Sequence, residues 1–113
     1  MNQRTDVQVV TMWETPVRMN LKPERVQELL RLVPGWRLRP DGVGIETRRM
    51  FTQPSAAGAF AAQACRLAML RNQPVMVRLW KGHVVVTLHG HPVRGYVGGL
   101  TEKVFDLAAH IGA

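Results

Sequence analysis

Asn72, Gln73, Pro74 and His91 are the residues whose types and placement raise a question of chemistry. Histidine exchanges a proton near neutral pH, whereas amides donate and accept hydrogen bonds without titrating. A corner of one histidine and two amides can hold the edge of a polar heterocycle, but it lacks a second acid or base for proton transfer. His83 and His89 add two imidazoles, and His89 and His91 fall on one side of a strand. Zinc takes three or four ligands, often with carboxylate or thiolate support, and no acidic residue lies between Glu46 and Glu102, so no metal is expected. Cys65 is the single cysteine. It excludes an intrachain disulfide and a thiolate cluster, and reads as a small core residue. Gly95 to Gly99 has neither the GxGxxG spacing nor the Lys-Ser/Thr of a phosphate loop, so its glycines are expected to permit a turn.

What positions the corner is a hairpin. Two alternating runs, Val75 to Trp80 and His83 to His89, flank Lys81-Gly82, a two-residue loop of the length that closes tight hairpins. Trp80 then faces His83, Leu79 faces Val84 and Val75 faces Leu88, which returns His89 to His91 beside Asn72-Gln73-Pro74. Val75, Val77, Leu79, Val84, Val86 and Leu88 share one side, expected to be the core. Met76, Arg78, Trp80, His83, Val85, Thr87 and His89 share the other. That mixture of large apolar, aromatic and basic groups reads as a contact surface rather than a solvated face.

Around the hairpin the remaining elements follow from punctuation and period. Lys22-Pro23 opens a helix with Val26, Leu29, Leu30 and Val33 at helical spacing, and Pro34-Gly35 ends it. Trp36 to Arg39 and Val43 to Phe51 read as a second hairpin about Pro40-Asp41-Gly42, with Trp36 inward and Arg37, Arg39 and Arg48 or Arg49 outward. Ser55 to Arg71 is an alanine-rich helix with Ala57, Phe60, Ala61, Ala64, Leu67 and Ala68 on one face. Thr101 is expected to cap a last helix that buries Val104, Leu107, Ala108 and Ile111. Residues 1 to 20 read as an extension with a short edge strand near Val7, Val9 and Met12, and residues 21 to 113 as one domain. The order α-β-β-α-β-β-α is an α+β fold, a four-stranded antiparallel sheet with three helices on one face.

The 113 residues carry 15 Lys and Arg against 8 Asp and Glu, a formal charge of +7, which attracts an acidic partner. The basic residues form no run or tail, which fits a patch for a protein partner at least as well as a nucleic-acid-binding stripe; no nucleic acid is expected as the partner. The longest uncharged run, Met50 to Cys65, is too short and alanine-rich to span a bilayer, and Val7 to Met12 lacks the length and cleavage site of a secretory signal. A cytoplasmic location is expected.

Gly35-Trp36, the strand ending at Phe51, the alanine-rich helix, the X-X-Pro corner, the V-x-V-x-L strands, the histidine after the last strand and Gly99-Leu100-Thr101-Glu102 together resemble the pterin-4a-carbinolamine dehydratases over roughly Leu21 to Ile111. The resemblance implies a dimer formed through the sheets. It also implies a dehydratase site of an acid three residues ahead of a His-His-Pro corner, a third histidine after the last strand and an aspartate in the final helix. Here the corner reads Asn72-Gln73-Pro74, the acidic position falls at Ala68 or Met69, and the aspartate position is Val104. Only His91 matches, with an extra residue before it and a longer loop after it. The lost corner, the basic charge and the apolar sheet face are similar to the non-enzymatic RuBisCO assembly factors associated with bacterial α-carboxysomes. That resemblance implies RuBisCO subunits as partner, a carboxysome-associated place, no cofactor, and a binding face formed by Met76, Arg78, Trp80, Val85, Thr87, Arg37 and Arg48. A divergent 4a-hydroxytetrahydrobiopterin dehydratase using His91, or a dimeric regulatory module, is the alternative.

Overall fold

The computed structural model describes residues 21–91 and 99–112. The expected extension over residues 1 to 20 and most of the glycine-rich loop after His91 lie outside the described residues. Seven elements occur in the expected order: α1 (Pro23–Leu32), β1 (Trp36–Leu38), β2 (Ile45–Met50), α2 (Pro54–Leu70), β3 (Val75–Trp80), β4 (His83–Leu88) and α3 (Glu102–Ile111). The sheet is antiparallel with the order β1-β2-β4-β3, so β4 lies between two partners and β3 is an edge. The second strand begins at Ile45 rather than Val43, because Asp41 accepts the Val43 N–H and holds that stretch in the turn.

Proline starts α1 and α2 for one reason: its missing N–H is a group that the first turn leaves unbonded anyway. Pro23 opens α1, and Pro54 opens α2. Helix α2 ends in a Schellman arrangement. Asn72 adopts φ 53, its N–H reaches the Met69 carbonyl at 3.1 Å, and the Gln73 N–H reaches the Ala68 carbonyl at 2.9 Å. Asparagine tolerates this left-handed conformation better than most residues with a side chain. The Asn72 of the corner therefore has a structural task of its own.

The core lies between the sheet and the helices. Ile45, Val84, Val86 and Leu88 are wholly buried against Ala57, Ala64, Ala68, Val104, Leu107 and Ala108. The alanines of α2 permit close approach to the strands, and larger residues of α3 fill the remaining space. Burial of a side chain such as Leu107 contributes about 1.5–3 kcal/mol. Two polar groups in this layer are bonded to backbone: Thr47 Oγ1 donates to the Gly35 carbonyl at 2.7 Å, and Trp36 Nε1 donates to the Gly112 carbonyl at 3.1 Å.

Two expectations need correction, and the choice between Arg48 and Arg49 is settled in favour of Arg48 on the outer face. Arg49 lies on the helix side, since it shares a rung with Val84 and Leu79, and its guanidinium sits 4.8 Å from the centre of the Phe60 ring. Cys65 is half-buried, because it lies one step off the Ala57, Ala64 and Ala68 stripe. Thr101 occupies the N-cap position of α3 with extended backbone, but its side chain makes no capping bond.

Candidate functional site

Hairpin geometry brings the corner together. Lys81 and Gly82 both have positive φ, 46° and 81°, as a type I′ turn requires, and the register runs unbroken from Trp80 opposite His83 to Val75 opposite Leu88. No bulge interrupts it. The end of β4 therefore returns beside the end of α2, and His91 Nε2 donates to the Asn72 backbone carbonyl. Gly90 is held behind it by a 2.7 Å bond from its N–H to the Gly99 carbonyl, and a Cβ there would lie 2.8 Å from the same oxygen. Gln73 is half-buried, and its Oε1 meets no hydrogen-bond partner among the described residues.

The chemistry available at this corner is limited. Of Asn72, Gln73, Pro74 and His91, only the imidazole titrates. Ala68 is wholly buried and Met69 is exposed, so neither candidate position supplies an acid. Val104 is buried in the core. Arg71, one residue ahead of Asn72, is ion-paired at 2.7 Å with Asp106, two positions past Val104. His89 Nδ1 lies 2.8 Å from the Gly90 carbonyl. The three histidines do not converge: among the described residues, no group of three or more His, Cys, Asp or Glu side chains is placed to hold a metal.

The outer face of the sheet carries more exposed chemistry. Strand pairing aligns three rungs: Arg37, Glu46, Thr87 and Met76; then Arg48, Val85 and Arg78; then Met50, His83 and Trp80. Val85 and Thr87 are buried on this face as well, because β4 is flanked on both sides and its neighbours close over it. They form its floor. Met76 at 54% exposure and Trp80 at 44% stand proud of it, while Arg37, Arg48 and Arg78 are exposed beside them. Arg48 and Arg78 flank Val85 from the two neighbouring strands, so their backbones stand about 10 Å apart.

Electrostatics make this face acceptor-seeking. Glu46 is the single carboxylate on these rungs, and it is nearly buried between Arg48 Nε at 3.3 Å and Arg39 Nη1 at 3.9 Å. Its charge is thereby offset, and Arg37 and Arg78 remain in excess. The indole of Trp80 stacks on the His83 ring at 5.5 Å, with the Arg78 guanidinium 5.9 Å from the indole centre. Stacking orders the tryptophan before any partner arrives, which lowers the entropy lost on binding. All seven expected face residues thus share one surface. The sequence reading missed the Glu46–Arg39–Arg48 network, although strand alternation from Ile45 already places Glu46 and Arg48 together.

Comparison with known proteins agrees with this architecture. A solved structure, a transcriptional coactivator/pterin dehydratase from Brucella melitensis, is similar with a TM-score of 0.69 and 25% identity, covering 81% of this chain and 94% of that one. A search of curated proteins finds no match. The family model described as Pterin 4 alpha carbinolamine dehydratase matches residues 19–113. With the match spanning every described element, the chain belongs to the pterin 4 alpha carbinolamine dehydratase family.

Proposed function

We propose that this member of the family is a non-enzymatic assembly factor for RuBisCO in an α-carboxysome system, which holds an acidic RuBisCO surface or assembly intermediate on the outer face of its sheet. One observation carries the reading: amides stand where dehydration needs titratable groups, while the opposite layer exposes Trp80, Met76, Arg37, Arg48 and Arg78 on a rigid sheet. Tryptophan and arginine are the residues that most often anchor protein interfaces. A homodimer would double the face and its charge. The encounter would weaken with salt, as expected for a basic face meeting an acidic one.

A second reading, a divergent 4a-hydroxytetrahydrobiopterin dehydratase, is supported by the placement of His91 against the corner. The experiment that separates them is co-expression of both RuBisCO subunits and chaperonin with and without this chain. A gain in assembled, active RuBisCO supports the first reading. No gain, together with carbinolamine dehydration by the purified protein, supports the second.

A further inference from the structure

At the tip of the β3–β4 hairpin, away from the corner, a cavity of about 330 Å³ opens between the sheet and the start of α2. Its walls include Phe51, Pro54, Ala57, Leu79, Trp80 and Lys81. Leu79 points to the helix side, yet it remains 50% exposed, so the helices leave it incompletely covered. An apolar cavity of about 150 Å³ already admits a benzene ring, so this one has room for a large side chain.

The walls are preformed. Phe51 N–H donates to the Gly82 carbonyl at 2.9 Å, and a Cβ on Gly82 would lie 2.5 Å from the Phe51 carbonyl oxygen, which fixes the turn against the strand end. The Phe51 ring packs on Phe60 at 5.6 Å. Among the described residues that line the opening, charge has one sign. No lining residue is acidic, Lys81 stands in the wall, Arg78 lies over Trp80, and the first turn of α2 holds no carboxylate. Trp80 is shared between the cavity and the outer sheet face, so the two surfaces are continuous.

We propose that this cavity is the anchor pocket of the outer face, receiving one aromatic side chain from an acidic protein segment whose neighbouring carboxylate pairs with Lys81. The proposal rests on the sheet-face reading and names the chemistry of its partner. An apolar side chain seated in a pocket and ringed by charge is the usual form of an interface hot spot.

The test uses fragments on the full chain: N-acetyl-phenylalaninate, its neutral amide, and N-acetyl-alaninate, followed by backbone amide signals in solution NMR. Saturable shifts at Phe51, Thr52, Lys81 and Gly82 are expected with N-acetyl-phenylalaninate and not with N-acetyl-alaninate. Thr52→Trp, a change at an exposed lining residue, should weaken binding by about tenfold or more, equivalent to roughly 1.4 kcal/mol. Lys81→Asn keeps a residue that tolerates positive φ and should remove the preference for the acid over its amide. Equal shifts from the alanine compound, shifts centred on His91 and Asn72, or no saturable shift would each overturn the proposal. Since no RuBisCO is present, fragment binding without any gain in RuBisCO assembly would uphold the pocket and reject the RuBisCO reading. An assembly gain without fragment binding would do the reverse.

Discussion

The His91 imidazole donates through Nε2 to the backbone carbonyl of Asn72, and that carbonyl is fixed because Asn72 closes α2 at φ 53. That bond uses Nε2 as the donor, since a carbonyl oxygen can only accept. A dehydration also needs a second proton-transfer group, and among the described corner residues the amide of Gln73 cannot titrate.

Restoring one imidazole should therefore not restore the reaction. Wild-type protein and Gln73→His are both expected to leave carbinolamine dehydration at the rate in buffer, followed by stopped-flow absorbance. Turnover by Gln73→His clearly above wild type would show that a working pterin pocket persists.

Asn72 should matter more for stability than for chemistry. Asn72→Gly keeps the left-handed cap and should shift the urea midpoint little, whereas Asn72→Val should cost about 1–2 kcal/mol because a branched side chain resists positive φ. Equal midpoints for the two variants would contradict the capping role.

Arg49 is held between sheet and helix over Phe60, and its Nη2 is buried without a hydrogen-bond partner among the described residues. Removing an unpaired buried donor while keeping its volume should be neutral or favourable. Arg49→Met is expected to raise stability by up to about 1 kcal/mol in thermal or urea unfolding. A loss of more than that would mean the guanidinium has a partner of real strength.

Helices α1 and α3 are joined at the surface by a two-pronged pair, Arg25 Nε to Glu102 Oε2 at 2.7 Å and Nη2 to Oε1 at 3.1 Å. The hydrogen bond from Arg25, then its charge, holds the Glu102 carboxyl below its ordinary value of 4.5. A carboxyl depressed in the folded state stabilises above its unfolded value and loses that contribution as pH falls through the folded one. The stability difference between wild type and Glu102→Gln should thus be present at neutral pH, fade as pH drops below 4.5, and shrink in high salt. A difference independent of pH would point to packing instead.

Most of the fold was legible because its signals are local. The two-residue Lys81-Gly82 loop sets the β3–β4 register, and prolines mark the starts of α1 and α2. The face residues followed from alternation alone. Other features depend on tertiary surroundings that a pattern does not carry. Val85 and Thr87 alternate outward yet are buried, because both neighbouring strands of β4 shelter them. Arg48 and Arg49 read alike in the pattern, yet it is Arg49 that lies against Phe60, since a rung on the helix side ends near an aromatic ring. The hairpin-tip cavity depends on where Pro54 starts α2 relative to Gly82, a spacing in three dimensions. Asn72 was read as a site residue, and its conformation shows the competing demand of the helix end.

The most direct test compares two double variants in the RuBisCO co-expression assay. Arg48→Glu with Arg78→Glu reverses the charge on the rung that flanks Val85, and Asn72→Gly with Gln73→Ala alters the corner while preserving the cap. The account predicts that intact protein raises the yield of assembled, active RuBisCO, that the arginine variant loses the gain, and that the corner variant keeps it. A gain that survives charge reversal on the face, or disappears with the corner alone, would contradict it.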